Sequence, residues 1–271
     1  MLRLESSSGA NPKQYTAQTS KLSEHRIYVG TAAWAIPKQY DDAFPREGSH
    51  LVRYASRFNG VEINSSFYRP HRLSTYQRWA GDVPDHFRFA VKMPKTITHE
   101  SRLRDVDEPL QRFLGEIGGL GPKLGPVLIQ LPPSLKFDPA VVGPFIETVR
   151  ASFGGDVVCE PRHASWFNAD VDAFLVEQRI SRVAADPKPH PNAGTPGGWT
   201  GLVYYRLHGS PKMYYSAYSQ EAIAEAVETL GDHADAGRAA WCIFDNTAAF
   251  AATGDALSTL KLFQSQAPDD G

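Results

Sequence analysis

Eight short apolar runs recur along the chain at nearly even intervals, and this recurrence limits the fold more than any other feature of the sequence. The runs are IYVG at 27, VEIN at 61, FRFAVK at 87, PVLIQL at 126, DVVCE at 156, RVAAD at 182, LVYYRLHG at 202 and WCIFD at 241. Successive starts are roughly 30 residues apart, the length of one strand, one helix and the return. The intervening segments carry helical stripes. Leu51, Tyr54, Ala55 and Phe58 fall at i, i+3, i+4 and i+7, with Ser49 placed to cap the start and Gly60 beyond the end. Val142, Phe145, Ile146 and Val149 repeat the pattern after Asp138-Pro139, as do Ile223, Ala226, Val227 and Leu230 after Ser219. Ser74 and Gln77 have the spacing of a capping box ahead of Trp79.

Near-continuous apolar strands alternating with helices favour a parallel sheet covered on both faces. With eight repeats the expected fold is α/β, a closed (β/α)8 barrel of the TIM-barrel-like kind, and a doubly wound open sheet is the alternative. One return departs from the pattern. PKPHPNAGTPGGWTG, between the sixth and seventh runs, is too rich in proline and glycine for a regular helix, so the sixth return is expected to be mainly loop. Residues 1–24 show neither periodicity and read as a flexible tail, and residues 25–271 read as a single domain.

Composition excludes several function classes. A chain of 271 residues with 42% hydrophobic and 21% charged residues needs neither disulfides nor a structural metal to hold a core. Its formal net charge of -2 gives no overall field toward nucleic acid or an anionic membrane, so any anion binding must come from a local patch. No apolar run approaches the roughly 20 residues a bilayer requires, and the N-terminal segment lacks the apolar core of a signal peptide, so a cytoplasmic location is expected. Cys159 and Cys242 stand alone in apolar runs and are expected to be buried, reduced thiols.

In a barrel of this kind chemistry resides at the C-terminal ends of the strands. Those ends are strongly polar here. The second run carries Glu62 and Asn64 with Tyr68 following, the third ends at Lys92 and the fourth at Gln130. The fifth ends at Glu160, Arg162 and His163 before Trp166, and the sixth closes with Asp186. Arg206 and His208 end the seventh, and Asp245, Asn246 and Thr247 the eighth. Helices cover the outside of a barrel, so a charged residue embedded in a strand is expected to point into the polar mouth. Glu62, Lys92, Glu160, Arg206 and Asp186 are expected to converge there.

The strings VGTAAW, VEINSSFYRP, FRFAVKMPKTITH, LGPVLIQLPPSLKFD, CEPRHASWF, YYRLHGSP and WCIFDNT, in this order, resemble the successive signature segments of domain of unknown function 72, the YecE-like family. The resemblance implies a TIM-barrel-like fold and brings no established reaction. In the last segment the family pattern is met at Asn246 and Thr247. It departs at Asp245, where members often carry Asn, so no catalytic role is carried over to that carboxylate.

The residues support several functional readings. The leading one is a small anionic ligand, phosphorylated or carboxylated, bound at the mouth. Candidate binding residues are Asn64, Tyr68, Lys92, Gln130, Arg162, Trp166, Asp186, Arg206, Asn246 and Thr247; arginine can hold such groups with paired hydrogen bonds. Glu62, Glu160 and His208 are the candidate acid and base groups of a hydrolase, lyase or isomerase. The opposing structural reading pairs Glu160 with Arg162 or Arg206, and Glu62 with Lys92, as ion pairs that lock the mouth. An alternative is metal-assisted phosphodiester hydrolysis on nucleic acid, with a divalent ion among Glu62, Glu160, His163, Asp186, His208 and Asp245, though no cofactor is expected. Further alternatives are glycoside hydrolysis by paired glutamates and a binding protein without turnover.

Overall fold

The computed structural model describes residues 19–266. Each apolar run forms a strand: β1 (Ile27–Thr31), β2 (Gly60–Ile63), β3 (Arg88–Lys92), β4 (Leu124–Gln130), β5 (Val157–Glu160), β6 (Ile180–Arg182) with β7 (Ala184–Asp186), β9 (Leu202–Leu207) and β10 (Ala239–Phe244). The two-residue β8 (Gly197–Gly198) pairs antiparallel with β6, and the remaining pairings are parallel. The fold is α/β. Helices His50–Ala55, Leu73–Gly81, Asp107–Ile117, Pro139–Ser152, Ala169–Glu177, Gln220–Asp235 and Ala251–Gln266 separate or follow the strands.

Local chemistry explains the helix starts. Ser49, Asp138 and Ser219 each accept a backbone N–H of the first turn, from Val52, Ala140 and Ala222. Ser74 does not act as a cap, because its helix begins one residue earlier, at Leu73, after an uncapped Arg72. The sixth return, residues 187–201, contains a 3-10 turn at Pro191–Gly194 and β8 but no α-helix. The expected tail has an ordered end. Residues 19–24 are helical, with Thr19 and Leu22 buried, while residues 1–18 lie outside the described residues.

The strands are hydrogen-bonded as two sheets, ordered β1-β10-β9-β7 and β2-β3-β4-β5-β6-β8, rather than as the continuous ring expected of a barrel. At one seam β6 and β7 are the same stretch of chain. Val183 between them still donates its N–H to Cys159 of β5, after which β7 pairs with β9. At the other seam β1 and β2 share a single bridge, Ala32 to Glu62. Side chains replace the ladder there: Asn59 accepts the Val29 N–H and donates to the Ile27 carbonyl, and Tyr54 accepts the Thr31 N–H and donates to the Gly60 carbonyl. The two strands approach so closely that a Cβ on Gly30 would lie 2.0 Å from the Gly60 oxygen, which only glycine permits.

Register decides what each strand face carries. Glu62 pairs with Ala90, Lys92 with Leu128, Gln130 with Glu160, and Arg206 with Ile243. Partners in adjacent parallel strands point the same way, and alternate residues in one strand share a face. These polar residues therefore stand on the same face as an apolar layer of Ala90, Leu128, Val158, Val183, Tyr204 and Ile243. The opposite faces, with Val61, Val91, Ile129, Cys159, Val203 and Cys242, belong to the larger core that includes the helices. Both cysteines are free and buried. Among the described residues no helix is long and apolar enough to cross a membrane.

Candidate functional site

Arg206, fully buried in β9, is the centre of the polar cluster. Its Nε and Nη2 donate to the two oxygens of Glu62 at 3.0 and 2.8 Å, its Nη1 to Glu160 Oε2 at 2.5 Å, and its Nη2 to Asp245 Oδ2 at 3.0 Å. Glu62 also accepts from the Tyr204 hydroxyl at 2.9 Å. Each partner comes from a strand end on the shared face, so the sheet register places three carboxylates around one guanidinium. A buried arginine so engaged is held by the carboxylates and holds them in turn.

The second cation of the cluster, Arg162, follows β5 and donates from Nε and Nη2 to Glu160 Oε1 at 3.1 and 3.0 Å. His208, two residues beyond Arg206, places Nδ1 3.0 Å from Asp245 Oδ2. Its Nε2 lies 3.3 Å from Glu160 Oε1, but misaligned, and this buried nitrogen has no hydrogen-bond partner. Burial works against the imidazolium; Glu160 and Asp245 outweigh it, so the His208 pKa is raised. Burial would likewise raise Glu160, but Arg206, His208 and Arg162 hold it well below the usual carboxylate range. Asp245 is lowered too, its burial overcome by Arg206 and His208.

Lys92 differs from the arginines. It is 7% exposed, and no ion pair among the described residues includes it. Its Nζ stands 4.1 Å above the Phe67 ring. Phe67 is set there by its neighbour Ser66, whose hydroxyl donates to the Lys92 carbonyl at 2.6 Å and to that of Ile63 at 2.9 Å. Burial, with repulsion from Arg206, depresses the Lys92 pKa to about 8. Of the ion pairs in the opposing structural reading, Glu160 with Arg162 and with Arg206 form, whereas Glu62 with Lys92 does not, because Arg206 and Tyr204 take the Glu62 carboxylate.

Most of the other candidates lie elsewhere. Asp186 pairs with Leu207 in register and so stands on the face opposite Arg206. Its carboxylate accepts from Tyr218, beside a cavity of about 570 Å³ that Tyr205, Leu207 and Cys242 also line. Trp166 is a core residue, 1% exposed, donating to the Leu135 carbonyl and packed against Phe137. Asn246 is buried and clips Ser216 to Asp255, while Tyr68 and Thr247 are exposed. Gln130 is nearly buried on the Glu160 face, Asn64 directly follows β2 with a buried, unpartnered Oδ1, and His163 accepts the Ser165 N–H.

Three residues absent from the sequence-based set border the cluster: Tyr204 through Glu62, Phe67 under Lys92, and Tyr214, whose ring meets His208 edge-on at 5.6 Å. Tyr204 could have been found, since it stands two residues before Arg206 and shares its face. Phe67 and Tyr214 lie outside the strands, where periodicity is silent. The donor set does not suit a divalent ion, because Arg206 fills the space between the carboxylates. No group of three or more His, Cys, Asp or Glu side chains among the described residues is arranged to hold a metal.

Comparison with known proteins bears on the fold. The family model "Protein of unknown function DUF72" matches residues 28–270. UPF0759 protein YecE of Escherichia coli (strain K12) is 31% identical over 177 residues, 60% of each chain. UPF0759 protein YunF of Bacillus subtilis (strain 168) is 28% identical over 171 residues, 59% of this chain and 57% of that protein. The chain thus spans about 60% of the length of the curated relatives it matches. A DUF72 family crystal structure from Thermotoga maritima aligns with a TM-score of 0.74 at 23% identity, covering 88% of this chain and 99% of that one. A sugar phosphate isomerase/epimerase from Parabacteroides distasonis aligns at 0.50 and 12% identity, covering 88% and 93%. These structural likenesses carry the fold alone.

Proposed function

Because the chain belongs to the DUF72 family, whose description assigns no reaction, we propose from the site itself that it binds a small phosphorylated or carboxylated molecule between Lys92 and Arg162, with His208 as proton donor. The observation that carries this reading is Lys92, a nearly buried ammonium without a carboxylate partner. A buried charge is costly until it is paired, so an arriving anion recovers what the fold leaves unmet. The unpartnered Nε2 of His208 supports the same reading. So does the charge of the cluster: Arg206, Arg162 and Lys92 balance Glu62, Glu160 and Asp245, and a proton on His208 leaves one positive charge in excess. Arg206 serves as the frame of this site rather than as a contact, since the three carboxylates already occupy four of its five N–H donors. We read the two sheets as one closed barrel with this site at its C-terminal mouth. The bridge at Ala32 and the unbroken chain through Val183 support that closure.

The test is thermal. An anion at 100 times its Kd should stabilise the fold by about 2.7 kcal/mol, or about 5–11 °C at roughly 2–4 °C per kcal/mol. Lys92→Met should lose the shift and keep the native circular dichroism spectrum. If phosphate, sulfate and a panel of phosphorylated and carboxylated metabolites all leave the melting temperature unchanged, the reading is wrong.

A further inference from the structure

We infer that Lys92 is a covalent residue: its amine condenses with an aldehyde or ketone carbonyl to form an imine, so that the anion bound at the mouth is a carbonyl compound. The inference rests on the proposed anion site and narrows its substrate class.

Three features of the geometry support it. First, the Lys92 side chain is nearly buried with its Nζ against an aromatic face, and Ser66 ties the turn carrying Phe67 to the Lys92 backbone, so the wall is built rather than incidental. An apolar wall and a neighbouring guanidinium are the recognised means of making a lysine nucleophilic near neutral pH. Second, the carboxylates that would hold the lysine as an inert ammonium are claimed by other donors: Glu62 by Arg206 and Tyr204, Glu160 by Arg206 and Arg162, and Asp245 by Arg206 and His208. Third, Lys92 follows Ala90, the register partner of Glu62, by two residues, so its amine stands on the strand face that carries Glu62, Glu160 and Arg206.

The step balances. The lone pair of neutral Nζ forms the C–N bond, and the carbonyl π electrons move to oxygen. That oxygen takes one proton from Nζ and one from an acid, the role assigned here to His208. The C–O bond then breaks, water leaves, and Nζ keeps its last proton in an iminium ion. The positive charge passes from the imidazolium of His208 to the iminium nitrogen, so the total charge facing the carboxylates around Arg206 is unchanged. The iminium also withdraws electrons from the adjacent carbon, which acidifies the C–H bonds there. This is the chemistry of carbonyl lyases, aldol-type enzymes and imine-forming isomerases.

The experiment is reductive trapping of the full-length protein with cyanoborohydride at pH 7, followed by peptide mass mapping. The probes are pyruvate, glyoxylate, dihydroxyacetone phosphate and, as a neutral control, glycolaldehyde. At least one anionic probe should label Lys92 about tenfold faster than any exposed lysine, and excess sulfate should suppress that labelling. Lys92→Arg should abolish the label while retaining the sulfate-induced melting shift, which separates the inference from the anion reading on which it rests. Failure of every probe to label Lys92, or labelling spread evenly over the lysines, overturns the imine while a persisting sulfate shift leaves the anion site standing. Preferential labelling of Lys92 by the neutral probe with no sulfate shift would overturn the anion site instead.

Discussion

Replacing Arg206 with methionine removes a guanidinium of similar length and leaves Glu62, Glu160 and Asp245 buried without their shared partner. Arg206 is fully buried and makes ion pairs with all three, two of them from Nη2. Removing one member of a buried ion pair costs about 3–5 kcal/mol, because the charge left behind is neither hydrated nor paired. For a chain of this size that corresponds to a fall in Tm of about 6–20 °C. The pH dependence identifies the cause. In the native protein Glu160 and Asp245 have lowered pKa values, so their contribution to stability is present above the unfolded-state carboxylate pKa and is lost as pH falls through the folded-state values. Without Arg206, burial raises the folded values of these carboxylates, and the variant becomes easier to protonate. Its deficit should be largest near neutral pH and should shrink toward about pH 5. Urea denaturation of both proteins at the two pH values measures this. A neutral-pH loss below about 1 kcal/mol, or a deficit that does not change with pH, would refute the assignment of Arg206 as the frame of the cluster.

Two other perturbations test the supports of the site. Asn59→Ala at the β1–β2 seam leaves the Val29 N–H and the Ile27 carbonyl without their side-chain partner, and should cost about 2–4 kcal/mol in denaturant titration; a loss of a few tenths would show that the seam does not depend on it. Tyr204→Phe removes one donor to the Glu62 carboxylate and should cost about 1.5–3 kcal/mol, with the anion-induced melting shift retained; loss of that shift would make Tyr204 part of the binding surface.

Much of this arrangement was legible because a strand has a period of two. Glu62, Lys92, Glu160 and Arg206 each end an apolar run, and a charge in such a run has one polar place to go. The inference from charge failed for Asp186, because the same period of two that turns Val183 and Ala185 inward turns Asp186 outward. At Val183 the chain transfers its pairing from β5 to β9, and Asp186 falls on the outer face with Leu207. Trp166, Asn246 and Thr247 follow strand ends, where position in the chain says little about direction. Trp166 turned into the core and Asn246 became a loop clip. The partner of each charge was also hidden. Local sequence could offer Lys92 to Glu62, but Arg206 lies 144 positions away and its planar fork fits two carboxylate oxygens at once, which an ammonium cannot do.

An anion between Lys92 and Arg162, as proposed, would be visible directly in a crystal. Anomalous diffraction from crystals soaked in selenate, a heavy sulfate analogue, tests it most directly. A selenium peak is expected with its oxygens within about 3 Å of Lys92 Nζ and the Arg162 guanidinium, present in the native protein and absent in Lys92→Met. Selenium found at surface arginines and lysines, with the space above Lys92 and Glu160 empty in well-ordered crystals, would contradict it.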